Sequence, residues 1–160
     1  MFTLHEVKIY ILFKLEGMKG ILLSINISDK RGRRKTPLKE ANVTLYGIEG
    51  DAHAGEWHRQ ISLLGEESIE KMRKGGMEIN YGDFAENLTV KGITLYKLNI
   101  GTRIRVGEAM LEVTQIGKKC HDDCEIKRIT GKCVMPTEGI FAKVIKAGKI
   151  RVGDEVEVIE

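Results

Sequence analysis

Apolar and polar residues alternate along much of this chain. In TRIRV, Ile104 and Val106 oppose Arg103 and Arg105, and near the C-terminus Val156 and Val158 share a face opposite Glu155, Glu157 and Ile159. A period of two is the mark of a strand with one buried face. GILLSINI, ANVTLYGI, QISLL, ENLTVKGI, GTRIRVG, AMLEVTQI and DEVEVIE are short, rich in β-branched residues and bounded by glycine, so each is predicted as a strand. The link Gly107-Glu108-Ala109 suits a hairpin. That hairpin leads straight into residues 117–133, and the fold expected is mainly β, a barrel or sandwich.

Two stretches carry a helical period instead. Residues 66–73 set Ile69 and Met72 three apart and stop at Gly75-Gly76, as a short amphipathic helix with a glycine cap does. After Pro136, TEGIFAKVIKAG places Ile140, Phe141, Val144 and Ile145 on one stripe, which predicts a second helix ending at Gly148. Eighteen glycines against two prolines, spread along the chain, indicate tight turns within one unit and no linker.

At 160 residues, 42% hydrophobic and 31% charged, the chain suits a single folded domain. A net charge of +3 is too small to indicate a nucleic-acid partner, and only Asp29 to Lys35, DKRGRRK, is locally basic. The apolar run Ile9 to Phe13 is short and flanked by Glu6, Lys8 and Lys14, so neither a secretory leader nor a membrane span is expected. Residues 1–17 read as an N-terminal extension and 18–160 as the domain. Three cysteines, an odd number, point to reduced thiols in the cytoplasm rather than a disulfide framework.

All three cysteines fall in GKKCHDDCEIKRITGKC. A thiol with a pKa near ~8.5 needs nearby positive charge to react or bind a metal at neutral pH. Lys118, Lys119, Lys127 and Arg128 supply it, while Asp122 and Asp123 oppose it. Cys120, His121, Cys124 and Cys133 offer four zinc donors, although the usual structural-zinc spacing is missing. Cys133 also suits the role of a small buried hydrophobe.

The second constellation is GIEGDAHAGEWHRQ, where Gly47, Gly50 and Gly55 leave backbone N–H groups open to an anion among Asp51, His53, His58 and Arg59. The same residues equally suit a polar loop anchored in the core by Trp57, and His53 with His58 is a weak metal signal. In YGDFAENLTV, Asp83, Glu86 and Asn87 lead into a strand, and Asn87 suits a hydrogen bond to backbone. The basic run Arg31 to Lys35 is either a solvated loop or an electrostatic lip for an anionic small molecule.

Taken in order, KTPL (Lys35 to Leu38), GIEGDAHAG, GDFAENLTVKGI, IGTRIRVGEAMLEVTQIGKKC and EGIFAKVIKAGKIRVGDEVEV resemble the MOSC family, the domain also found at the C-terminus of molybdenum cofactor sulfurases. The resemblance runs from about Met18 to the end. It implies a MOSC-type β-barrel with a few short helices. It also implies a cysteine after AMLEVTQI that carries sulfur or ligates molybdenum in a pterin cofactor. Counting from the strand favours Cys120, and the habit of members with two nearby cysteines favours Cys124, so both are candidate catalytic and metal-binding residues. Candidate cofactor-binding residues are Lys35, Gly50, Asp51, His53, Gly55, Arg59 and Asn87, with Arg59 or Lys35 best suited to the phosphate.

The expected function is therefore binding of molybdenum cofactor or carriage of its sulfur, in cofactor biosynthesis or in reduction of N-hydroxylated compounds. As an enzyme it would be a sulfur transferase or a molybdenum-dependent reductase component. Partners would be the cofactor, its biosynthetic or acceptor proteins and, for a reductase, a separate electron donor, since no iron–sulfur, flavin or nicotinamide pattern occurs. No nucleic acid or membrane partner is expected. The alternative is a non-enzymatic β-barrel, stabilised by zinc or binding anions.

Overall fold

The computed structural model describes residues 3–6, 17–119 and 133–159. Strands β1 (Lys19–Ile27), β2 (Thr36–Leu38), β3 (Glu40–Thr44), β4 (Gly47–Ile48) and β5 (Ile61–Gly65) come first, followed by helix α1 (Glu66–Lys74) and strand β6 (Leu88–Lys91). Then come β7 (Arg103–Val106), β8 (Ala109–Ile116), helix α2 (Met135–Glu138), β9 (Ile140–Lys146), β10 (Gly148–Arg151) and β11 (Glu155–Val158).

One sheet runs β11-β7-β8-β9-β5-β6-β1, and pairing of β11 with β1 closes it into a barrel of seven strands. Closure leaves no open edge along these strands. The nine-residue β1 pairs with β11 through Lys19–Ile21 and with β2 through Ile25–Ile27, so β2 extends the barrel at one rim. Strands β5 and β6 are parallel, and α1 lies on the crossover between them. A smaller sheet, β10-β3-β4, packs beside the barrel. Among the described residues no helix is long and apolar enough to cross a membrane.

The expected alternation holds where one strand face meets solvent. In β7, Ile104 and Val106 are buried and Arg103 is exposed; in β11, Val156 and Val158 point inward. They join Leu22, Ile25, Leu63, Leu88, Leu111 and Ile140 in the barrel core. A second apolar cluster of Leu64, Ile69, Phe84, Met135 and Phe141 fills the space between α1 and the outside of the barrel.

That second cluster explains the main correction to the expected elements. The helix predicted from Thr137 to Gly148 is in fact the short α2 followed by strand β9. Ile140 and Ala142 of β9 face the barrel core while Phe141 faces the outer cluster, and the strand pairs with both β5 and β8. A strand buried on both faces loses its two-residue period, and its apolar run then imitates a helical stripe. The second correction concerns ANVTLYGI, which is two strands: Leu45-Tyr46 form the tip of a β3–β4 hairpin, with Val43 paired to Ile48.

Ala85, just before β6, has φ 62°, the left-handed region that disfavours a side chain with Cβ. Its N–H bonds Gly82 O at 2.9 Å, which fixes this turn. Ala85→Gly should raise stability by about 0.5–1 kcal/mol in urea denaturation, because relief of the left-handed strain exceeds the added unfolded-state entropy.

Candidate functional site

The basic run sits on the connection between β1 and β2, and the glycine-rich loop of residues 49–60 follows β4. A buried carboxylate joins them. Asp51 Oδ1 accepts hydrogen bonds from Ser28 N at 3.1 Å and Lys35 Nζ at 2.6 Å, and Oδ2 accepts from His53 N at 3.1 Å. Ala52 N adds a bond to Ser28 O at 2.8 Å. Gly50, at φ 87°, makes the turn that aims Asp51 inward.

Neither the Lys35 nor the Asp51 side chain has any exposed surface. The backbone of Lys35 is docked as well: its N–H bonds Gly82 O at 2.8 Å, and a Cβ on Gly82 would lie 2.3 Å from Lys35 O. Three segments distant in sequence are thus held at one point. Lys35 Nζ also lies 3.0 Å from His53 Nδ1.

Burial opposes the Asp51 charge, but His53 and the Lys35 ammonium outweigh it and hold the carboxyl well below the usual carboxylate range. Burial likewise lowers Lys35, against the pull of Asp51, and lowers His53, where the positive charges of Lys35 and Arg31 add to the effect. His53 is therefore neutral at physiological pH.

Trp57 does not anchor the loop in either apolar core. It is half-buried, its indole N–H donates to His53 O at 2.7 Å, and the guanidinium carbons of Arg31 and Arg59 lie 4.5 and 4.8 Å from its ring centroid. Arg59 also packs over Phe141, and its buried Nε has no hydrogen-bond partner among the described residues. Gly55 serves the loop itself, bonding Tyr46 O through its N–H and accepting from Gln60 Nε2. His58 turns away to Gln115, with 2.8 Å between Nε2 and Oε1, and its carbonyl accepts from Thr114 Oγ1. His53 and His58 thus have separate partners, and among the described residues no three potential metal ligands come together.

Asn87 is fully buried, and its hydrogen bonds go to strand neighbours rather than to Lys35, Asp51 or His53. Its Oδ1 accepts from Ser62 N at 2.9 Å and its Nδ2 donates to Asn26 O at 3.0 Å, stitching β5, β6 and β1 together. Beside it lies a group to which the sequence assigned no role: Glu86, wholly buried, accepts from Thr89 Oγ1 at 3.0 Å and Phe84 N at 3.3 Å. Burial pushes its carboxyl up to about 7, and its charge bears on Lys35. The available signal was a Glu-Asn pair directly preceding an apolar strand.

Above the ion pair opens a cleft of about 1160 Å³, lined by the cations Lys30, Arg33 and Arg34, the carboxylates Asp29 and Asp83, and Ser28, Gly50 and Tyr81 among others. Arg34 lies 4.0 Å from Asp83. The charge of Lys118, just beyond β8, also bears on Lys35. Cys120, Cys124, His121, Asp122, Asp123, Lys127 and Arg128 lie outside the described residues. Cys133 is half-buried against the second apolar cluster.

Fold and cleft together define a closed β-barrel with a cation-lined pocket at one end. The model of the MOSC domain matches residues 50–157, and the chain belongs to that family, which is associated generally with molybdenum cofactor-related proteins. Strand β1 and Lys35 precede the matched region, yet they complete the barrel and the cluster. Among solved structures, the YuaD protein of Bacillus subtilis is similar with a TM-score of 0.75 and 22% identity, over 89% of this chain and 97% of that one. YiiM from Escherichia coli gives 0.63 and 23%, over 89% and 70% of the two chains. YiiM from Geobacillus stearothermophilus gives 0.62 and 22%, over 88% and 75%. At these identities the likeness concerns the fold. A search of curated proteins finds no match.

Two predictions follow from the buried charges. Asp51→Asn strands the Lys35 ammonium in the interior and should cost about 3–5 kcal/mol, read as a lowered urea midpoint. Glu86 ionises near 4.5 when unfolded but near 7 when folded, so the native state holds the extra proton between those values. Stability should then fall as pH rises from 4.5 to 7, by on the order of 3 kcal/mol at most. Glu86→Gln should flatten that slope when denaturation at pH 5 is compared with pH 8.

Proposed function

We propose that the protein binds a molybdenum–pterin cofactor in the cation-lined cleft and acts through a thiolate of the adjoining cysteine segment. The observation that carries this reading is the cleft itself: arginines and lysines beside a glycine turn, over a fixed ion pair. The described residues fit the anionic end of such a molecule. Arg33 and Arg34 would face its phosphate, and Gly50 lets backbone approach closely.

The metal end would be held by Cys120 or Cys124, a soft thiolate being suited to molybdenum or to transferred sulfur. When bound, the group supplies a metal centre able to exchange sulfur or oxygen ligands and to accept electrons. The chain's own part is to orient that group, to hold its charge, and to keep a thiol beside positive charge from Lys118 and Lys119. In this reading it works in the cytoplasm, with cofactor biosynthetic or acceptor proteins as partners. A role in reducing N-hydroxylated compounds would need a separate electron donor.

Purification without oxygen, followed by metal and pterin analysis, tests the proposal. Near-stoichiometric molybdenum and pterin are expected in the native protein after reconstitution. One of Cys120→Ser and Cys124→Ser should lose the metal, and Arg33→Ala/Arg34→Ala should weaken retention by about tenfold or more. Protein that holds no molybdenum, but holds zinc and unfolds when zinc is chelated, would instead be a zinc-stabilised module.

A further inference from the structure

Glu86 is wholly buried, yet hydrogen bonds tie it to the wall of the cleft. Ser24, which lines the cleft, donates to Asn26 Oδ1 at 2.7 Å, and Asn26 Nδ2 donates to the Glu86 carbonyl at 3.1 Å. Thr89 Oγ1 stands 3.4 Å from the same Nδ2 and donates to Glu86 Oε2 at 3.0 Å. Phe84 N bonds the other carboxyl oxygen at 3.3 Å. Gly82 joins this turn to Lys35, whose N–H it accepts, and a Cβ on Gly82 would lie 3.2 Å from the Asn26 amide carbon. The carboxyl is thus fixed beneath the cleft by way of β1 and by way of Gly82.

Lys35, Asp51 and Glu86 share that floor. Lys35 pairs with Asp51 and also feels the charge of Glu86. Its other neighbours are His53, which is neutral at physiological pH, and Lys118 beyond β8. The wall above holds Lys30, Arg33 and Arg34 with Asp29 and Asp83. Asp51 balances the Lys35 ammonium, so an ionised Glu86 leaves the buried set with an excess negative charge, and a protonated Glu86 leaves it neutral. Burial pushes this carboxyl up to about 7, so the change of charge falls near neutral pH.

We infer that Glu86 sets the charge of the cleft floor and so controls occupancy of the cleft by an anion: binding draws a proton from solvent onto the Glu86 carboxyl, and loss of that proton expels the anion. Glu86 touches no ligand and acts through the Lys35–Asp51 pair, so it is a positioning residue. An anion above the floor disfavours a second negative charge below it, which raises the Glu86 pKa further, and by linkage the anion binds more tightly at the lower pH. The inference rests on the reading of the cleft as an anion site and adds how that site is regulated.

The probe is inorganic sulfate, which does not titrate in the range used, and the measurement is calorimetric titration of the full chain from pH 6.5 to 8.5. Repeating it in two buffers of different ionisation enthalpy gives the protons taken up. Native protein should bind sulfate about threefold or more weakly at pH 8.5 than at pH 6.5, with net proton uptake near pH 7.5. Glu86→Gln, neutral throughout, should keep the tighter affinity across the range and take up no proton. Thr89→Val removes a donor that favours the ionised carboxyl, so the fall in affinity should move up by about half a pH unit or more.

If Glu86→Gln fails to fold, infrared difference spectra of native protein decide the matter, since sulfate at pH 7.5 should raise the band of a protonated carboxylic acid at the expense of carboxylate. Sulfate affinity that ignores pH, a pH slope that survives in Glu86→Gln, binding without proton uptake, no gain of that infrared band, or no sulfate binding at either pH would each overturn the inference. A Glu86-dependent slope in a protein that never retains molybdenum would remove the cofactor reading and leave this one standing.

Discussion

The buried contact between Lys35 Nζ and Asp51 Oδ1, at 2.6 Å, is the constraint around which the site is built. Taking two charges out of water costs several kcal/mol per ion unless each is paired and its remaining hydrogen-bonding capacity is used. Here Asp51 also takes the N–H groups of Ser28 and His53, while Lys35 has His53 Nδ1 as a second acceptor. The pair therefore fixes the relative placement of the β1–β2 connection and the loop after β4. With Lys35 drawn inside, Lys30, Arg33 and Arg34 are left along the cleft wall.

Barrel closure brings these segments together. Strand β1 delivers Ser28 at one rim, and the β3–β4 hairpin delivers Asp51. Polar groups beneath the cleft continue the arrangement inward: Ser24 donates to Asn26 Oδ1, Asn26 donates to Glu86 O, and Glu86 accepts from Thr89. In a low-dielectric interior such a chain is rigid only when its members are paired, and these are. A fixed floor under a cation-lined opening suits recognition of an anion, since less order has to be gained on binding.

Legibility from sequence followed the number of buried faces. Strands with one wet face, such as β7 and β11, displayed their period plainly, and α1 showed both its stripe and its glycine stop. Strand β9 did not, because Phe141 packs outward while Ile140 and Ala142 pack inward. The loop motifs marked the right neighbourhood. Lys35, Asp51 and His53 meet as a cluster, but Arg59 packs beside them on Trp57 and Phe141, and Gly55 and Asn87 are occupied by loop and strand contacts. Nothing in DKRGRRK distinguishes its last lysine from the exposed ones. Burial of Lys35 depends on Asp51, Gly82 and His53, partners supplied only by tertiary structure.

A double-mutant cycle on Lys35 and Asp51 tests the central claim most directly. Urea denaturation of Lys35→Met, Asp51→Leu and the combined variant, with phosphate affinity measured on each folded form, gives the coupling in stability and in binding. The account predicts a coupling of roughly 2 kcal/mol or more, with the double variant far more stable than the two single losses imply, yet poor at holding phosphate. Losses that add within about 0.5 kcal/mol, or a double variant with native phosphate affinity, would contradict it.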